Sequence, residues 1–112
     1  MELQLLSSQK RNTILAELRS QLEELYGNRL VHMVLYGSQA RGDASPGSDV
    51  DVLVVLAGSV DPATEIDRVS PITAVLSLEH DIVISCVYIS EERYIQENSP
   101  LLLNIRREGI AV

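Results

Sequence analysis

A chain of 112 residues with a 46% apolar share suits one domain, residues 1–112, with a core of its own, and leaves no room for two. A formal net charge of −7 argues against direct nucleic-acid binding as the main activity, because such proteins present a basic face. The lone cysteine excludes an internal disulfide, and no apolar run reaches the roughly 18–20 residues of a membrane span.

The first segment, about residues 2–26, reads as a helix: Ile14, Leu15, Leu18, Leu22 and Leu25 fall on one face, with Glu17, Arg19, Glu23 and Glu24 off it. Its N-terminus lacks the charged start and cleavage site of a signal peptide, so a cytoplasmic protein is expected. Gly27 is a natural helix stop. Residues 30–36, LVHMVLY, have strand content. Residues 37–47 form a loop with a short helix at its start, and 49–56 a second strand.

Asp61-Pro62 opens a helix to about Leu78, interrupted at Ser70-Pro71 because proline removes a backbone donor. Residues 81–89 read as a third strand, with Cys86 as a buried reduced thiol. Ser90 caps a short helix, and Ser99-Pro100 starts a last one that Gly109 ends. The expected fold class is α/β (α+β), a small mixed sheet of three strands flanked by helices.

Asp49 and Asp51 sit at the head of the apolar run VLVVL, although aspartate is a poor strand former. On a strand, residues i and i+2 share a face about 6.5 Å apart. Two carboxylates that close resist joint ionisation in a dry site, and a divalent cation between them removes the conflict. Mg²⁺ takes hard oxygen ligands of this kind, together with phosphate oxygens and water. The pair is equally readable as two solvated residues of a turn.

Asp81, at the head of the expected third strand, can stand beside the pair if the two strands are neighbours. Three carboxylates on two strands would hold two cations about 3.5–4 Å apart, the spacing of in-line phosphoryl chemistry. Asp81 would then act as a ligand or a general base; an ordinary acid at a strand edge is the plainer reading. A strand that ends at Gly37-Ser38 and enters a helix can aim backbone N–H groups and a hydroxyl at an anion, with Arg41 able to fork onto phosphate or carboxylate. The P-loop pattern is missing.

Taken together, G-S-Q-A-R-G, five residues, then S-D-V-D-V-L-V resembles the nucleotidyltransferase superfamily, and within it the minimal nucleotidyltransferases of the MntA antitoxin type. The family pattern, G-S-x-A-R-G, a short spacer and S-D-x-D, with a third acid on a later strand, is met at Gly37, Ser38, Ala40, Arg41, Gly42, Ser48, Asp49 and Asp51, with Asp81 a looser match. The resemblance implies Mg²⁺-dependent transfer of AMP from ATP at a two-metal site. Asp49, Asp51 and Asp81 would bind metal, and Gly37 and Ser38 would hold phosphates. Ser48 and Arg41 belong to the same phosphate-binding motif.

No acceptor-binding domain is visible, which favours a protein acceptor that brings its own shape. The resemblance points to a tyrosine of a HEPN-type ribonuclease toxin, with the two proteins forming a hetero-oligomer. Two other readings stay open: an antitoxin that neutralises its partner by binding alone, and a small-molecule nucleotidyltransferase completed by a partner subunit. A hydrolase built on Ser38 with His32 or His80 lacks the G-x-S-x-G elbow.

Overall fold

The computed structural model describes residues 2–42 and 49–112, with residues 2–7 as backbone alone. The helix α1, Glu2–Tyr26, passes through a 3₁₀ turn, Gly27–Arg29, into β1, Leu30–Tyr36. A four-residue helix α2, Ser38–Arg41, follows, and then β2, Val50–Leu56. The long helix α3, Pro62–His80, leads to β3, Ile84–Ser90. Two short helices, α4 (Glu91–Gln96) and α5 (Pro100–Glu108), precede a two-residue strand β4, Ile110–Ala111.

The sheet order is β3-β2-β1-β4. β1 runs antiparallel to β2 and β4, and β2 runs parallel to β3, so the sheet is mixed as expected. Its fourth strand was not expected from the sequence, because two residues carry no periodicity to read. It places Ile110 beside Leu35 and Ala111 beside Val34.

Alternation along the strands splits the core into two layers. Val50, Val52, Val54 and Leu56 of β2, with Met33, Leu35, Ile84 and Tyr88, meet Ile14, Leu15, Leu18 and Leu22 of α1 and Val69 and Leu76 of α3. Leu53 and Val55, on the opposite face with Val34 and Ile89, meet Leu102 and Ile105 of α5. Each such side chain contributes about 1.5–3 kcal/mol on full burial. Leu25, expected on the core face of α1, lies exposed one residue before the helix ends.

Two sequence-based expectations need correction. Pro71 does not interrupt α3: it lies inside a continuous helix on an exposed position, where water can satisfy the carbonyl one turn back that loses its donor. The hydroxyl of Ser70 donates to the carbonyl of Ile66 at 2.6 Å on the same turn. The third strand starts at Ile84 rather than at residue 81, because α3 runs through His80 and closes on Asp81 in the left-handed conformation (φ 51°). The expected caps at Ser90 and Ser99 form, accepting from the N–H groups of Arg93 and Leu102. Among the described residues, no helix is long and apolar enough to cross a membrane.

Candidate active site

β2 is the central strand, and every residue of it is buried except Asp51. The strand needs apolar side chains on both faces, and the exception sits one residue inside its mouth. Cross-strand pairing sets Asp51 opposite Tyr36, the last residue of β1. Gly37 follows with φ 76° and starts α2. A Cβ added to Gly37 would lie 2.6 Å from Oδ2 of Asp51, so backbone and carboxylate meet at a distance no side chain could share. Glycine is required there twice over, for the positive φ and for the approach.

Burial raises the Asp51 carboxyl above the ordinary carboxylate range, and the neighbouring charge of Asp49 raises it further. Asp49, two residues earlier, is exposed at the edge of the mouth. Burial, followed by the charge of Asp51, also raises the Tyr36 phenol. Among the described residues no cation pairs with either aspartate. The pair is therefore an unbalanced acidic couple against a bare backbone. That is a set of hard oxygen donors matching a divalent cation, which would neutralise both charges.

The strand–glycine–helix turn expected at Gly37-Ser38 is present. The N–H groups of Ala40 and Arg41 donate to the Gly37 carbonyl at 3.1 Å, closing the turn. Arg41 extends toward the C-terminal helix, where its guanidinium lies 3.6 Å from Glu108. Arg11 of α1 donates to the carbonyl of Gln39 at 3.1 Å, so α2 is tied to both helical layers. Ser48 lies outside the described residues.

Asp81 is not on β3. It is exposed at the left-handed end of α3, three residues before the strand. The structure brings Asp49 and Asp51 together at the mouth of β2. It does not gather Asp81 with them into a cluster within 4.8 Å. The one such cluster of three among the described residues is elsewhere, at Glu17, Glu79 and His80. There Nε2 of His80 lies 3.1 Å from Glu17, tying the end of α3 to α1. Sequence reasoning missed this contact because its members are 63 residues apart. His32, read as structural, rests against the ring of Tyr94 at 5.5 Å. Cys86, read as a buried reduced thiol, is free and only partly buried, and desolvation pushes it up to about 11.

A mixed sheet with a glycine turn closing on an acidic strand mouth defines the nucleotidyltransferase class, and sequence comparison agrees. The family described as "Nucleotidyltransferase domain" matches residues 15–108, and this chain belongs to that family. The expected enzyme class, nucleotidyltransferase, stands on that membership. Among its relatives is the Methanocaldococcus jannaschii protein named "Putative protein adenylyltransferase MJ0604", 35% identical over 89 residues, or 79% of this chain and 83% of that protein.

Two solved structures share the fold. A "putative nucleotidyltransferase" from Sulfolobus solfataricus aligns with a TM-score of 0.60 at 19% identity, over 98% of this chain and 82% of that one. A toxin–antitoxin crystal structure with AMP-PNP aligns with a TM-score of 0.59 at 20% identity, over 84% of this chain and 68% of that one.

Proposed function

We propose that this protein transfers AMP from ATP to a hydroxyl of another protein, with Mg²⁺, and acts as the antitoxin of a toxin–antitoxin pair. The observation that carries the reading is the acidic couple Asp49–Asp51 at the mouth of β2, with Gly37 pressed against Asp51. The protein acceptor is supported by the name of the M. jannaschii relative. The toxin partner is supported by the toxin–antitoxin crystal structure that shares the fold. A tyrosine of a HEPN-type ribonuclease is the acceptor we favour, and a cytoplasmic setting belongs to the same reading.

Asp49 and Asp51 would hold the cation, which neutralises charge developing on the triphosphate when bound. The Gly37-Ser38 turn would bring backbone and a hydroxyl against the phosphates, with Ser48 as a further donor from the same motif. Arg41 would reach them by leaving Glu108, a partly exposed ion pair of small worth. The acceptor hydroxyl gives up its proton to solvent as its oxygen attacks the α-phosphorus; the new oxygen–phosphorus bond forms, the bond from the α-phosphorus to the bridging oxygen breaks, and pyrophosphate leaves with that oxygen. Catalysis of this kind is mostly positioning and electrostatics.

The test combines the protein, Mg²⁺, α-³²P-labelled ATP and the protein encoded beside it. Label on that partner, lost in the Asp49→Asn/Asp51→Asn variant, is the expected result. A partner neutralised equally by the variant, with no label, would mean masking by binding. Label in a free small product would mean a small-molecule acceptor.

A further inference from the structure

We propose that the site holds a single divalent cation with its nucleotide, because β3 presents no carboxylate to the Asp49–Asp51 couple. The inference rests on the nucleotidyltransferase reading and deepens it, from the class of reaction to the number of cations the chain itself can hold.

The argument is one of register. β2 and β3 are parallel, with Val50 beside Ile84 and Asp51 beside Ser85. One step earlier, Val83 comes level with Asp49, and the N–H of Val50 donates to the Val83 carbonyl at 2.9 Å. Side chains alternate between the two faces of a strand. Leu53 and Val55 share the second core layer with Ile89 and Val87, so Asp49 and Asp51 are on the face of Val83 and Ser85. These two positions are where a neighbouring strand can reach the couple, and they carry an isopropyl group and a hydroxymethyl group.

Asp81, the acid nearest them along the chain, is two residues before Val83, roughly 6–7 Å further along at the rise of a strand. The left-handed residue at that point turns the chain out of the strand direction. On the other flank, β1 offers Tyr36 and then Gly37. Two dications about 3.5–4 Å apart repel each other strongly, and carboxylates shared between them normally offset that repulsion. A couple with no third acid beside it on either flanking strand has oxygens enough for one cation and its phosphate ligands. Val83 is 55% exposed, so an acid placed there would enter a site open to water rather than a core.

The test counts bound metal. Mn²⁺ replaces Mg²⁺, and the full chain is saturated with α,β-methylene-ATP. Equilibrium dialysis with electron paramagnetic resonance then gives Mn²⁺ per chain. The expected count is one for the wild type, two for Val83→Asp, and one for Val83→Asn, which has the same shape without the charge. Ser85→Asp is the second variant should Val83→Asp not fold. A wild-type count of two overturns the inference while leaving the nucleotidyltransferase reading intact, and so does a folded Val83→Asp protein that stays at one. A count of zero with no nucleotide retained removes both.

Discussion

At the Arg29 end of the β1–β2 pair, a carboxylate only 2% exposed, Glu65, is met by a phenol and two guanidinium groups. Tyr26 donates to it at 2.8 Å, Arg29 at 3.3 Å, and Arg68 lies 3.6 Å away. At the Gly37 end of the same two strands, Asp49 and Asp51 face each other's charge with no such answer among the described residues. One end has been completed by the chain's own side chains. At the other, no described side chain does so. The difference separates a buried acid that holds the fold together from a pair, Asp51 half-buried and Asp49 exposed, whose mutual repulsion a bound cation would relieve.

The comparison can be broken most severely at the open end. Asp49→Asn/Asp51→Asn should lower transfer by about 10³-fold or more, the scale of losing a site's main electrostatic stabilisation. Its thermal unfolding, followed by circular dichroism without metal, should occur no lower than in the wild type. At the closed end, Glu65→Ala should cost about 3 kcal/mol in urea unfolding, because it strands a buried phenol and a part-buried guanidinium. Transfer by the fraction that remains folded should be unchanged.

Between these two lies Gly37→Ala. A methyl group in the space occupied by the Asp51 carboxylate moves the couple by about an ångström, and transfer should fall about 10²-fold while the fold persists.

A pH series sharpens the contrast. Burial and Asp49 raise the Asp51 carboxyl above its unfolded value. A raised folded pKa gives stability that is fully present below the unfolded pKa and is lost as pH rises through the folded one. Metal-free protein should therefore lose stability across the weakly acidic range by this group. In thermal melts, Asp51→Asn should remove that part of the slope. The smallest effect is at Glu108→Gln, which releases a half-buried partner of Arg41 and should change the apparent KM for ATP less than about threefold.

Much of this was legible in the residues. The apolar face of the first helix, the strand at 30–36, the short helix after Gly37 and both serine caps follow from periodicity and capping chemistry, which are local. The family motif led directly to Gly37, Asp49 and Asp51. What the sequence could not reveal depended on distance along the chain. Asp81 sits next to an apolar run, and only the continuation of α3 through His80 shows that the strand begins three residues later. That shift decides which side chains of β3 reach the couple. β4 is too short to have a pattern, and Glu65 reads as one more acid on an amphipathic helix until Tyr26 and Arg29 are folded against it.

The central claim is that Asp49 and Asp51 bind nucleotide through a divalent cation. Isothermal titration of α,β-methylene-ATP into wild type and into Asp51→Asn, with Mg²⁺ and then with EDTA, measures that directly. The account predicts Mg²⁺-dependent binding in the wild type, abolished by EDTA and weakened at least about tenfold by the substitution. Equal affinity in the two proteins, or binding indifferent to EDTA, would contradict it.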